Sequence, residues 1–180
     1  MDNSLKIPLP VTLDNQETER LLFRKLIMTD LEELMPFFSS QEAMKFLPVS
    51  SMSAIENGET WINRQLNRYN TNGDGLYALI NKETGKIVGM CGLIIQEVDE
   101  QKELEIGYHL LPEYWHNGYS TEASQFCKNF AQKHQLAKNV ISLIDFENFN
   151  SQKVAERNDM SRGRATVFKG IPAYVYSVNL

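Results

Sequence analysis

The sequence predicts an α/β domain built on a mixed sheet. Hydrophobic periodicity runs strand, two helices, three strands, helix, strand, helix, strand, an order that lays helices against a sheet instead of segregating them. The 180 residues show no internal repeat, low-complexity tract or long linker, so a single domain over 1–180 accommodates every element. Residues 1–17 read as an extended N-terminal segment. Met1 to Gln16 carries one lysine and no sustained apolar stretch, unlike a secretory signal, so the expected location is the cytoplasm.

The elements follow in order. Glu19 to Ile27 reads as a strand, and the period changes at Thr29, where Thr29-Asp30-Leu31-Glu32 has the form of a capping box. A second box, Ser53-Ala54-Ile55-Glu56, opens a longer helix in which Ile55, Ile62, Leu66 and Tyr69 recur at helical spacing, and the turn formers of "NTNGDG" end it. Leu76 to Val98 reads as two strands around a Lys82 to Gly85 turn. "ELEIGYHLL" then alternates, with Leu104, Ile106, Tyr108 and Leu110 on one face and Glu103, Glu105, Gly107 and His109 on the other. Ala123, Phe126, Cys127, Phe130 and Ala131 form a helical apolar stripe. "NVISLIDF" is a buried strand, "NSQKVAERN" a short helix and "AYVYSV" a closing strand.

Net charge is −5, which argues against a general nucleic-acid binder. From Ser151 to Leu180 the balance is +3, against −8 before it. Such a polarity suits a cationic substrate on one side and a phosphorylated ligand on the other, although for any single residue solvated surface is the simpler reading. No apolar run reaches the length of a membrane span. Cys91 and Cys127 lie among apolar neighbours outside any CxxC spacing and read as buried free thiols. His109, His116 and His134 form no ligand cluster, so no metal is expected.

The stretch "LLPEYWHNGYSTEA", Leu110 to Ala123, joins a strand to a helix expected to start near Ser120. Ser120, Thr121 and Glu122 can supply a cap and an acidic first turn. The same junction can instead present unpaired N–H groups to an anion, with Gly118 taking a backbone conformation that other residues avoid and Ser120 small enough for close approach. It is neither a Walker loop nor a dinucleotide fingerprint, since GxxxxGK[ST] and GxGxxG are both missing.

"TERLLFRKL", "EIGYHLLPEYWHNGYSTEA" and "ENFNSQKVAERNDM" together resemble the GNAT superfamily of N-acetyltransferases, in its RimJ/RimL-like ribosomal-protein-alanine acetyltransferase branch, over nearly the whole chain. The resemblance implies one domain with a central mixed, mostly antiparallel twisted sheet flanked by helices, and acetyl-CoA as cosubstrate. It places acetyl-CoA between the strand ending at Leu111 and the one starting near Val140, with the amine entering from the opposite side. The backbone of Leu110 and Leu111 would pair with pantetheine in the manner of a missing strand. The run Trp115-His116-Asn117-Gly118-Tyr119-Ser120, continued by Thr121, matches the loop that wraps the pyrophosphate, with His116 in place of a frequent glycine and Ser120 in place of alanine or glycine.

The same resemblance makes Glu105 a general base, acting directly or through water. An amine is mostly protonated near neutrality and only its free base attacks a thioester. On the residues alone, a strand glutamate is more often half-exposed and inert. Gly107 leaves room beside Glu105, and His109, roughly 13 Å along the strand, reads as structural. Asn148 and Ser151 match the element facing pantetheine and the thiol, although either also suits a plain helix cap. The position where a tyrosine commonly protonates the leaving thiolate holds Ala155, leaving Ser151 as the nearest substitute. Asp159 stands where glycine is common, a left-handed turn that aspartate tolerates.

The expected activity is therefore direct acetyl transfer from acetyl-CoA to a primary amine, either a protein N-terminal α-amine or a small molecule, by a monomer or a homodimer acting on neither nucleic acid nor membrane. A non-catalytic acyl-CoA-binding module of the same fold is the rival, favoured by Ala155 and opposed by Glu105. Cys91 and Cys127 lack the electropositive, accessible setting a nucleophile needs. The helices from Asp30 to Tyr69 and a loop around Ser161 to Pro172 are expected to line the acceptor pocket, and such segments do not fix the acceptor's identity.

Overall fold

The computed structural model describes residues 12–48, 50–71 and 73–180. Residues 1–11 of the expected N-terminal segment lie outside the described residues; of the remainder, Leu13 is buried in the core and Glu17 bridges to Leu22. The elements are β1 (Leu21–Arg24), α1 (Leu31–Phe38), α2 (Gln41–Met44), α3 (Ala54–Thr71), β2 (Gly75–Asn81), β3 (Ile87–Val98), β4 (Gln101–Leu110), α4 (Tyr119–Lys133), β5 (Asn139–Asp145), α5 (Phe149–Arg157), β6 (Ser161–Phe168) and β7 (Ile171–Asn179). They form one seven-stranded sheet of order β1-β2-β3-β4-β5-β7-β6. Every neighbouring pair is antiparallel except β4 with β5, which is parallel.

The alternation read in β4 divides the core as expected. Leu104, Ile106 and Leu110 join Cys127, Phe130 and Ala131 of α4 in one cluster, which also takes in Ala155 of α5. The opposite face carries a second cluster, where Leu34, Phe37 and Phe38 of α1 and Ile62 of α3 meet Leu76, Met90 and Ile94. Helices thus cover both faces of the sheet, and the apolar burial on each side holds the parallel pair in the middle. Cys91 and Cys127 meet across the first cluster with Sγ atoms 3.7 Å apart, free and fully buried. No helix among the described residues is long and apolar enough to cross a membrane.

Three expectations change. The first strand is shorter than Glu19 to Ile27, because the chain turns after Arg24, whose guanidinium grips Asp30 at 2.8 and 3.1 Å. That grip also overturns the capping box at Thr29: Asp30, not Thr29, is the N-cap of α1, and its carboxylate is taken by Arg24 and the Ile27 N–H. The box at Ser53 does form, with Ser53 N–H donating to Glu56 Oε2 at 2.8 Å and Glu56 N–H returning to Ser53 Oγ at 3.3 Å. Finally, the expected loop after Ser161 is strand β6, an edge strand too exposed and polar to carry a hydrophobic period. It turns into β7 through Lys169 and Gly170.

Candidate active site

Strands β4 and β5 are in register at Glu105 and Ile141, the single register pair of the two strands. One residue on, the Ser142 hydroxyl donates to the Ile106 carbonyl at 2.8 Å, a side chain taking over from the backbone. Both strands border a gap, a cleft of about 210 Å³ lined also by α3, the start of α5 and the β6–β7 turn.

Leu111 donates its N–H to Val88 on β3, so by strand alternation Leu110 turns its backbone groups the other way, toward the gap. Its carbonyl there accepts Trp115 Nε1 at 2.9 Å. The expectation that Leu110 and Leu111 both offer backbone to a ligand is corrected for Leu111, whose N–H and carbonyl are taken by Val88 and Tyr114.

Helix α4 starts one residue earlier than expected and without a hydroxyl cap. Its N-cap is Gly118, at φ +80°, a left-handed conformation open to glycine at little cost, and no side chain caps the helix. The N–H groups of Tyr119, Ser120 and Thr121 therefore begin the helix uncapped and are free to meet an anion. His116 is left-handed as well, at φ +63°, which explains why a glycine suits that place. Asn117 steadies the loop by donating Nδ2 to the Trp115 carbonyl at 3.0 Å. Glu122, read as the acidic first turn, reaches away to Thr18 and Arg20. Burial opposes its ionisation, but those hydrogen bonds prevail and hold its carboxyl below the usual range.

Glu105 lines the cleft at that register pair, and its Oε2 accepts Gln96 Nε2 at 2.9 Å. Burial raises its pKa, against the opposing pull of Gln96, the Leu143 N–H and the charges of Lys169 and Arg68. A carboxylate held this way binds a proton more tightly than one in water, as a general base should.

Residues 20–161 match the family model of the acetyltransferase (GNAT) domain. The chain belongs to the GNAT acetyltransferase family. It is 30% identical to the uncharacterized protein YkkB of Bacillus subtilis over 116 residues, 64% of this chain and 67% of that one. Its fold is that of the GNAT-family acetyltransferase of Bacillus anthracis, with a TM-score of 0.75, 23% identity and coverage of 91% and 96% of the two chains. RimL, the ribosomal L7/L12 α-N-protein acetyltransferase solved with coenzyme A, shares the fold at a TM-score of 0.73 and 12% identity, over 93% and 97% of the chains.

The other positions expected from the resemblance lie as follows. Asn148 is the N-cap of α5, accepting the Ser151 N–H at 3.2 Å, so its carboxamide oxygen serves as a cap while both residues line the cleft. Ala155 is buried in the core. The phenol that reaches this end of the cleft comes instead from Tyr108, which donates to the Ser151 carbonyl at 2.9 Å; burial raises its pKa and keeps it protonated. Sequence alternation placed Tyr108 with the core, and nothing in its spacing signals the reach across to α5. Asp159 takes the expected left-handed turn, at φ +63°, and pairs with Lys128 at 2.6 Å.

On the other face, Gly107 has a tighter role than leaving space for a substrate. A Cβ there would lie 3.0 Å from Ile94 Cδ1 and 3.1 Å from Leu76 Cδ2, so the glycine lets the core close against β4. His109 packs edge-on against Trp61 at 5.1 Å and Phe37 at 5.7 Å, and burial pushes its pKa down to about 4. It is a neutral wall of the cleft at pH 7, in keeping with a structural reading.

Proposed function

We propose that this acetyltransferase moves acetyl from acetyl-CoA directly to a primary amine. The observation that carries the reading is that Glu105 lies at the single residue pair that joins β4 to β5 and lines the cleft there, so a base faces the space that both strands border. The donor fits this chain on three counts: an uncapped helix start behind a left-handed glycine, the backbone of Leu110 turned into the gap, and Asn148 and Ser151 on its far wall.

Acetyl-CoA supplies an acetyl group activated as a thioester. Tyr119, Ser120 and Thr121 hold the pyrophosphate through their N–H groups, with His116, Asn117 and Gly118 shaping the loop. Glu105 takes the proton that the ammonium must lose, directly or through water, which leaves the nitrogen lone pair free to form the N–C bond. As the C–S bond breaks, the Ser151 hydroxyl hydrogen-bonds to the sulfur and steadies its growing charge, the new amide nitrogen sheds its remaining extra proton, and a proton reaches the thiolate, so CoA leaves as the thiol. Tyr108 fixes the Ser151 backbone in position. No covalent enzyme intermediate arises, and the buried thiols take no part.

The test is thiol release from acetyl-CoA over a panel of amines, with mass spectrometry of each product. Amine-dependent release with an acetylated amine supports transfer. CoA binding without release for any amine would instead identify a binding module that retains the fold, the reading that Ala155 favours.

A further inference from the structure

Two cations line the cleft with no ion-pair partner among the described residues. Trp61, Arg64, Gln65 and Arg68 project from one face of α3, at spacings of three, four and seven residues, and all four line the cleft. Arg68 is satisfied by Asp74 and the Ile95 carbonyl. Arg64 makes no ion pair with any described residue, and neither does Lys169, which enters the same cleft from the β6–β7 turn.

The backbone under Lys169 adds an independent observation. Lys169 and Gly170 form a two-residue hairpin turn with φ of +50° and +82°, a pairing that ordinarily calls for asparagine, aspartate or glycine in the first place. A lysine held there is strained relative to a residue at ease in that region. The strain sets an ammonium over the cleft, 4.8 Å from the Phe168 ring. Burial, Arg64 and Arg68 all depress the Lys169 pKa, and Glu105 opposes them, so the like charges act on one another across the mouth.

We propose that Arg64 and Lys169 form an anion-recognition pair, and that the acceptor is a primary amine bearing a carboxylate or a phosphate. An ordinary amine or polyamine approaches as a cation and is repelled by this mouth. An anionic group on the acceptor meets the guanidinium fork and the ammonium, relieves their mutual repulsion and leaves the amine to turn toward Glu105. The inference rests on the acetyl-transfer reading for its substrate and deepens it. It differs from the reading of the charge polarity as a cationic substrate on one side and a phosphorylated ligand on the other, because here Lys169 of the basic end meets an anionic group on the acceptor.

Matched probes test it at neutral pH: the dipeptide amide Ala-Glu-NH2 against Ala-Gln-NH2 for carboxylate, and 2-aminoethyl phosphate against ethanolamine for phosphate. Calorimetry measures binding of each, and CoA release measures turnover. At least one anionic probe should bind and be acetylated about tenfold better in kcat/KM than its neutral match, and Arg64→Gln with Lys169→Gln should bring the two within about twofold. Arg64→Glu should invert the order. Both side chains are exposed, so these variants keep the core intact. Turnover with no preference for either anionic probe, or a preference that survives the double substitution, overturns the proposal and leaves acetyl transfer standing. Selective binding of an anionic probe without turnover has the opposite meaning, and absence of binding by both anionic probes rejects the anion pair.

Discussion

Arg20 and Glu122, 102 residues apart, are joined at 2.6 Å between Nε and Oε2. The same guanidinium donates to the Asn117 carbonyl at 3.0 Å and lies 4.4 Å from the centre of the Tyr119 ring. One arginine ahead of β1 therefore ties the chain start to the loop and first turn of α4. An exposed ion pair contributes little to stability by itself, about 1 kcal/mol or less, so its consequence is chiefly the shape of the loop.

That shape depends on Gly118. Gly118→Val places a β-branched residue at φ +80°, although the nearest atom to a new Cβ, Arg20 Nη2, is 3.5 Å away and makes ordinary contact. The damage is to backbone conformation, of order 1–3 kcal/mol. CoA affinity should fall about tenfold or more while the protein stays folded, and calorimetry showing native affinity in the folded variant would remove the loop from the site.

Glu105→Gln keeps the size and the Gln96 contact but cannot take a proton. Turnover should drop by roughly 10² at neutral pH, the defect shrinking as pH rises and the amine deprotonates unaided. Stability should move the other way. Burial raises the Glu105 pKa in the fold, so native stability declines as pH climbs from the ordinary carboxyl value through the raised one. The glutamine variant escapes that loss, and its melting temperature should gain on wild type as pH rises above about 4, until the raised Glu105 value has been passed. A rate unchanged across pH would mean another group accepts the proton.

Ser151→Ala separates cap from catalyst. The cap at α5 runs from Asn148 to the Ser151 N–H, which alanine retains, so the fold should lose little. A kcat lower by roughly 10-fold to 100-fold with acetyl-CoA binding intact supports a hydrogen bond to the leaving sulfur. Tyr108→Phe is the companion variant, removing only the donor to the Ser151 carbonyl. A lower kcat in Tyr108→Phe, with kcat untouched in Ser151→Ala, would transfer the role away from serine.

His109 carries an acid sensitivity. Its folded pKa of about 4 lies below the ordinary 6.5, so the unfolded chain binds the extra proton first and stability falls as pH drops from about 6.5 toward 4. His109→Phe keeps the aromatic contacts with Trp61 and Phe37 and has no proton to bind. Its stability relative to wild type should improve by up to about 3 kcal/mol over that interval. Denaturant titrations at several pH values measure the difference, and parallel curves for the two proteins would show that His109 titrates normally.

Much of the site is written locally. Strand alternation put Glu105 on one face and the Leu104 row on the other, and the reciprocal Ser53–Glu56 pair opened α3 where its spacing said it should. Gly118 and Asp159 were legible as left-handed positions because that backbone region admits few residue types. Local signals failed where another partner intervened: Asp30, its carboxylate held by Arg24, replaced Thr29 as the N-cap of α1, and Arg20 took Glu122 from the helix start.

By itself, the sequence determined the α/β order and the family resemblance that the matching domain supports, since each depends on short-range period or on a contiguous motif. Tertiary structure decided where β4 and β5 pair, which of Leu110 and Leu111 faces the gap, and that Tyr108 reaches Ser151. It also brought Arg64 of a helix and Lys169 of a hairpin to one cleft, although 104 positions of chain sit between them. Period and spacing describe neighbours along the chain, whereas a cleft gathers side chains through pairing register and packing, which no local pattern records.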